Sequence, residues 1–165
     1  MDCHLIHKNS IPSVLKKAEQ YRSLLEPDLA ISICLDIFAI DENNQQALVI
    51  YILAATDLYS HTNAKVPVKN ITDCIAKLDS EFERDYYSGI ALERKARALM
   101  KNTMSRSFAY SVFIQAIKHY NTAEGLNNAR SDDAILRYNA CVRTLKTEHL
   151  SPRQDMDDVS WEKES

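Results

Sequence analysis

Three residues near the start of the chain have side chains that bind metals. Cys3, His4 and His7 supply one thiol and two imidazoles, and a helix could bring them to one face around zinc or copper. A structural zinc site needs a fourth ligand, and the sequence contains no partner motif to provide one. A frayed N-terminus is the favoured interpretation, so we predict no metal site and no other cofactor.

A second candidate lies in the segment 83–99, ERDYYSGIALERKARAL. On a helix, Tyr87 and Arg94 share a face, where they could bind an anion or act in catalysis. No partner base, oxyanion loop or ligand trio accompanies them. The favoured interpretation is therefore structural: Tyr87 packs between helices, and residues 93–97 form a solvated or groove-facing edge. On this basis we predict that the protein is not an enzyme.

The same segment contains Gly89, one of only two glycines in the chain. In the middle of a helix a glycine costs about 0.8–1.0 kcal/mol relative to alanine. Another interaction should offset this cost. We therefore predict that a neighbouring helix approaches closely at Gly89.

The composition determines the class of elements that can position these residues. The chain has 165 residues, enough for one domain with a sizeable core, but only 2 glycines and 4 prolines. Strand-rich folds need frequent turn glycines, and phosphate-binding loops need clustered ones. The composition therefore predicts an all-α protein.

The formal net charge of −3 lies at the C-terminal end. Residues 151–165 carry two basic and five acidic side chains, which sums to −3 and leaves the rest of the chain neutral. A neutral body does not attract phosphate backbones, so we predict no nucleic-acid partner. The longest apolar run, 47–55, is too short to span a bilayer, and no signal peptide is recognised. We therefore predict a cytoplasmic protein that does not insert into membranes and keeps its cysteines as thiols.

Apolar side chains recur at helical spacing in seven segments. The first predicted helix covers about 13–25, the second ends at about 40, the third covers 45–60 and the fourth ends at about 79. The fifth covers 80–101, the sixth 107–124, and Ser131 caps the seventh. Three local signals set the ends: the polar turn Asp41-Glu42-Asn43-Asn44 that caps the third helix, a Ser80–Glu83 capping box, and left-handed stops at Gly125, Asn127 and Asn128. The predicted organisation is an N-terminal arm at 1–12, a helical domain at 13–148 and a disordered acidic tail at 149–165.

Small residues recur along the predicted helices in a loose repeat. Ala30, Cys34 and Ile37, followed by Asp41-Glu42-Asn43-Asn44, resemble the second helix and closing turn of a tetratricopeptide repeat; Ala116, Tyr120 and Ala123 are a closer match. The part from Glu83 to Leu145, with Tyr87-Ser88-Gly89-Ile90, is similar to a group of uncharacterised bacterial tetratricopeptide proteins. The resemblance implies an antiparallel helix-hairpin solenoid of about three helix pairs plus a C-terminal capping helix. It brings no known activity.

These observations predict a non-enzymatic module that binds a peptide or protein in a concave helical groove. Arginines there would clamp a partner's carboxylate, and tyrosines would contact its apolar stem. The predicted groove residues are Tyr51, Asp57, Tyr86, Arg94, Arg97 and Arg137. The predicted structural core includes Ala30, Cys34, Leu53, Gly89, Ile90, Ala116, Tyr120, Ala123 and Tyr138.

Three alternatives stay open at this point. The first is a small tetratricopeptide-type chaperone for a secreted substrate, which rests on analogy of fold and length. The second is a minor metal-binding or enzymatic role of Cys3, His4 and His7. The third is a homodimer, because a short solenoid exposes an apolar end face unless a polar cap covers it.

Overall fold

The computed structural model describes residues 1–61, 66–126, 128 and 131–153. These residues form seven α-helices and three short 3₁₀ turns and contain no β-strand, which confirms the all-α class. The helices are α1 (Ile11–Ser23), α2 (Pro27–Phe38), α3 (Gln45–Asp57), α4 (Val68–Ala76), α5 (Glu81–Met100), α6 (Ala109–Leu126) and α7 (Asp133–Thr147). Most of the predicted acidic tail, from residue 154 onward, lies outside the described residues, as does Asn127.

Two of the predicted N-terminal caps are present. The Asn44 side chain accepts the N–H of Ala47 at 3.0 Å, and the Ser80 hydroxyl accepts the N–H of Glu83 at 3.3 Å. Both side chains bond amides that the first turn of a helix leaves without a partner. These two short polar side chains fix where α3 and α5 begin.

The helix stops differ from the prediction at one glycine. Gly125 lies inside α6 with an ordinary helical φ, and the left-handed residue beyond this helix is Asn128, at φ 46°. Leu25 and His149 are also left-handed, at φ 63° and 52°. After α1, the N–H of Glu26 bonds the carbonyl of Tyr21 at 2.9 Å, which closes the helix in a Schellman-type turn.

Helix α3 is central to the packing. It contacts α1, α2, α4 and α5, and each other helix contacts its neighbours along the chain. Eight of its side chains are buried, as predicted for a segment that is apolar on nearly every side: Ala47, Leu48, Ile50, Tyr51, Ile52, Ala54, Ala55 and Thr56.

The buried side chains form two cores. The N-terminal core lies among α1–α4 and contains Ile11, Leu15, Ala18, Cys34, Ile37, Ala47, Leu48, Ile50, Tyr51, Ile52, Ala55, Ile71, Ile75 and Leu78. The C-terminal core lies among α5–α7 and contains Ile90, Ala96, Ala109, Val112, Phe113, Ala116, Tyr120 and Cys141. Tyr87 packs against both, so α5 belongs to the two cores at once.

The predicted core residues lie at several depths. Ala30, Cys34, Ala116, Tyr120 and Ala123 are fully buried, and Gly89 and Ile90 are nearly so. Leu53 and Tyr138 are half-buried against the C-terminal core. Phe108, inside the predicted sixth helix at 107–124, is 46% exposed and lies in the 3₁₀ turn before α6.

All four cysteines are free thiols, and Cys34 and Cys141 are buried. Burial raises the pKa of each of these two thiols to about 12. Both therefore stay protonated and unreactive at neutral pH. Within the described part of the chain, no helix combines the length and apolarity needed to cross a bilayer.

Candidate functional site

Arg94 connects α5 to the end of α3. One of its guanidinium nitrogens donates to the Leu53 carbonyl at 2.7 Å and to the Thr56 hydroxyl at 2.7 Å, and lies 2.8 Å from an Asp57 carboxylate oxygen. Arg22 of α1 bonds the same carboxylate, with Nε 2.7 Å from Oδ2. Burial lowers the pKa of Arg94, and the attraction of Asp57 opposes this. Asp57 is thus shared by two arginines from different helices.

The adjacent residue, Glu93, is directed into the C-terminal core. It is only 1% exposed, although the sequence placed it on a solvated edge. Its carboxylate accepts the Tyr120 hydroxyl at 2.7 Å and the Arg97 Nε at 2.9 Å, and lies 3.6 Å from an Arg137 nitrogen. The prediction was wrong because a charged side chain is buried only when other groups pair with its charge, and these partners come from three helices.

The surroundings of Glu93 keep the hydroxyl of its aromatic partner, Tyr120, protonated. Burial raises the pKa of Tyr120 far above its ordinary value, and the charge of Glu93 raises it further. Tyr120 is therefore a neutral hydrogen-bond donor at any ordinary pH. Arg137 is also affected: its burial lowers the pKa, but Glu93, Tyr120 and Tyr86 together outweigh this and the net shift is upward.

Gly89 makes room for the ring of Tyr120. A Cβ atom at residue 89 would lie 2.6 Å from Cε1 and 2.8 Å from Cδ1 of that ring, closer than carbon atoms approach without displacement. The close helix contact predicted at Gly89 is confirmed, and it joins α5 to α6. The ring of Tyr86 lies nearby, with its centroid 6.0 Å from that of Tyr120.

A cleft opens between the end of α3 and the C-terminal half of α5. We call it the α3–α5 cleft; its volume is about 240 Å³, and its lining is Thr56, Asp57, Tyr59, Ser60, Arg94, Arg97, Ala98 and Lys101. Two further depressions adjoin it. One shares Asp57 and Ser60 and extends to Arg22, and the other shares Ser60 and Lys101 and extends to Thr103.

The predicted groove residues divide into three groups. Asp57, Arg94 and Arg97 meet in the α3–α5 cleft. Tyr86 and Arg137 lie beside Glu93 instead. Tyr51 is 5% exposed and packs against Phe38 in the N-terminal core, because α3 is buried on nearly every side.

Sequence reasoning missed five residues of the cleft: Thr56, Tyr59, Ser60, Ala98 and Lys101. One signal could have identified Lys101, since it follows Arg97 by four residues and Arg94 by seven and therefore shares their helix face. No such signal existed for Tyr59 and Ser60, which lie in the 3₁₀ turn Leu58–Ser60.

Tyr87 and Arg94, which the sequence suggested as a pair, lie in two different environments. Tyr87 packs between the two cores, and burial together with nearby Glu83 raises its pKa to about 12. A phenol with this pKa is a poor base at neutral pH. Arg94 is bonded to α3, as described above. Among the described residues, no three His, Cys, Asp or Glu side chains cluster as a metal site requires, and Cys3 is exposed.

A larger surface depression of about 500 Å³ lies on the outer side of α6, lined mainly by Phe108, Tyr110, Ile114 and Lys118. Pro152 and Arg153 complete its wall, with the Arg153 guanidinium 4.4 Å from the centre of the Phe108 ring. This wall ends where the described chain ends. The α3–α5 cleft is enclosed by helix and turn residues alone and is the better-defined site.

No protein-family model, curated protein or solved structure matches this chain. The tetratricopeptide resemblance therefore stays a prediction, and arguments about function depend on the geometry of the chain itself.

Proposed function

We propose that this protein is a non-enzymatic interaction module that binds a peptide or protein segment in the α3–α5 cleft. The observation that carries the proposal is the continuity of this cleft with depressions on both sides. An elongated surface between helices suits an extended or helical segment better than a small molecule, which is usually enclosed in a deep pocket.

The packing order supports a hairpin arrangement. Helix α3 contacts α1 and α5 as well as its neighbours along the chain. In stacked helix hairpins, the first helices of successive pairs adjoin in this way and line the concave side. We propose the pairs α1–α2, α3–α4 and α5–α6, with α7 as the cap.

The state of the polar groups supports binding over catalysis. The Asp57 carboxylate is already paired with Arg22 and Arg94. Arg94 and Arg97 are already engaged in hydrogen bonds within the protein. A cleft with these groups offers shape, charge and hydroxyl donors, but it lacks an activated nucleophile among its lining residues.

The experiment is affinity purification from the native cell followed by mass spectrometry, with a variant that blocks the cleft. Ser60 is exposed at the junction of the three depressions, so Ser60→Trp would fill the cleft with an indole ring. Glu124→Trp places the same ring at an exposed position of α6, outside the cleft, and is the matched control.

We expect wild type and Glu124→Trp to recover the same partner, and Ser60→Trp to lose it while its thermal unfolding stays unchanged. Equal recovery by Ser60→Trp would show that the cleft is not the binding surface.

A further inference from the structure

The basic side chains are concentrated in one part of the chain. The thirty residues 94–123 contain no aspartate or glutamate, although the whole protein has a net charge of −3. The six cations in this run are Arg94, Lys95, Arg97, Lys101, Arg106 and Lys118. The C-terminal half of α5 and the beginning of α6 thus carry a strong local excess of positive charge.

Internal partners neutralise three of these six cations. Arg94 pairs with Asp57, Arg97 with Glu93, and Arg106 with Glu148 at 2.9 Å. Lys101 lines the cleft and makes no ion pair with any residue that the structure describes. It is the cation of the cleft that is available to a ligand.

A lysine at the end of a helix often serves the helix itself, by binding its last carbonyls. At the end of α5 other donors already do this. The Leu99 carbonyl accepts the Ser105 hydroxyl at 2.9 Å, and the Met100 carbonyl accepts an Arg106 nitrogen at 3.4 Å. The Lys101 ammonium is therefore not needed to complete the helix.

The opposite wall of the cleft does not balance this charge. The acidic residue of this wall is Asp57, whose carboxylate is already paired with Arg22 and Arg94. Glu93 belongs to the C-terminal core and is 1% exposed, so it presents no carboxylate to the cleft. The segment 58–72, which follows Asp57 along the chain, contains no acidic residue.

We infer that the occupant of the α3–α5 cleft is an acidic peptide segment, with one carboxylate bound to the ammonium group of Lys101. This inference rests on the proposed function and adds the chemistry of the partner. The hydroxyls of Tyr59 and Ser60 line the same cleft and supply neutral donors. Arg97, whose side chain is 40% exposed, strengthens the positive field while its nitrogens stay bonded to Glu93 and Thr144.

The test uses a fluorescein-labelled peptide of alternating glutamate and serine, with an alternating lysine and serine peptide as the reference. Binding to the full-length protein is followed by fluorescence anisotropy at low and high salt. Lys101→Glu is the test variant. Lys95→Glu makes the same charge change at an exposed position of the same helix, outside the cleft, and is the matched control.

We expect the wild type to bind the glutamate peptide, more weakly as salt increases, and not the lysine peptide. Lys101→Glu should weaken this binding about tenfold, because it removes an attraction and adds a repulsion, whereas Lys95→Glu should change it by less than about twofold. Equal losses for both variants, no loss for Lys101→Glu, or no binding of the glutamate peptide would each overturn the inference.

The inference and the proposed function can fail separately. Suppose that Ser60→Trp abolishes recovery of the natural partner and Lys101→Glu does not. The cleft is then a binding surface, but its partner is not held by a carboxylate. If Ser60→Trp recovers the partner at the wild-type level, the proposed function itself is wrong.

Discussion

The N-terminal and C-terminal cores differ in what lies at their centres. The N-terminal core is built from aliphatic side chains, small residues and the Cys34 thiol, with Tyr51 at its margin against Phe38. The centre of the C-terminal core is a buried carboxylate, Glu93, bonded to a fully buried tyrosine, Tyr120. One core depends on packing alone, and the other also depends on a hydrogen-bonded charge.

The difference matters because the two kinds of core respond differently to change. Apolar cores tolerate substitutions that keep volume and pattern. A buried polar network is stable only when every member has its partner, and its free energy is lost when one partner is removed. We therefore expect the C-terminal core to be the more sensitive of the two to conservative substitution.

Truncation of a large, fully buried side chain in each core gives the largest expected effect. Tyr120→Ala should lower the free energy of unfolding by about 3–5 kcal/mol, near the upper end because it also leaves Glu93 without its hydroxyl donor. Tyr120→Phe isolates the hydroxyl and should cost about 1–3 kcal/mol. Ile52→Ala, at a position with 0% exposure in the N-terminal core, provides the comparison in urea unfolding followed by circular dichroism. A Tyr120→Phe protein as stable as wild type would remove the distinction between the cores.

Neutralising the buried carboxylate tests the charge separately from the shape. Glu93→Gln keeps the size of the side chain but leaves Arg97 and Arg137 without their counter-charge, so we expect a loss of about 2 kcal/mol. Asp57→Asn is the matched change at a site where the carboxylate is 30% exposed, and should cost less than about 1 kcal/mol. Both are measured by urea unfolding. Equal losses of unfolding free energy in the two variants would mean that the burial of Glu93 adds nothing to the stability of the protein.

The two glycines form a natural control pair. Gly89→Ala should destabilise by about 1 kcal/mol, because contact with the Tyr120 ring outweighs the better helix propensity of alanine. A Cβ atom added at residue 125 has no neighbouring atom within 4 Å among the described residues, so Gly125→Ala should raise the free energy of unfolding by about 0.5 kcal/mol. Thermal unfolding would reveal the opposite signs. A stabilised Gly89→Ala protein would contradict the tight contact.

The smallest expected effect concerns the attachment of α7. This helix buries fully only Ala134 and Cys141, and polar contacts connect it and the following turn to the rest: Arg137 with Glu93, Arg97 with Thr144, and Arg106 with Glu148. Salt weakens the attraction between charges that reach the solvent, and the side chains of Arg106 and Glu148 are 38% and 40% exposed, so this pair contributes less than about 1 kcal/mol.

The measurement is native-state labelling of single-cysteine variants that retain either Cys141 or Cys34. We expect salt to accelerate labelling of Cys141 severalfold relative to Cys34, since both thiols are 0% exposed but Cys141 belongs to α7, whereas Cys34 belongs to α2. The same salt response at both cysteines would show that α7 opens no more readily than the N-terminal helices.

Much of the fold could be predicted from the sequence because the signals are local. Helical spacing indicates each helix, Asn44 and Ser80 determine two N-termini by bonds within one turn, and the cost of Gly89 indicates a close neighbour. The depth of a residue depends on partners that are distant in sequence. Glu93 is buried because Tyr120, twenty-seven residues later, donates to it.

The candidate site was less predictable for the same reason. Arg94 and Arg97 were expected to point at a ligand, but their guanidinium groups bind other helices of the same protein. Tyr51 was expected in the groove but lies in the N-terminal core, because a helix that is apolar on nearly every side has no periodicity to indicate its exposed face. Lys101 shared a helix face with the two arginines, yet only the three-dimensional structure reveals that it makes no ion pair with any described residue.

The left-handed backbone at Leu25 has a consequence for engineering. A side chain at this φ of 63° costs about 1–2 kcal/mol compared with an ordinary helical conformation, and glycine is free of that cost. Leu25 is 85% exposed, so its replacement by glycine would also remove an apolar group from the solvent-facing surface. The protein thus retains an unused route to greater thermal tolerance and solubility, at a turn that belongs to neither core and lies in the depression that extends to Arg22, beside the α3–α5 cleft.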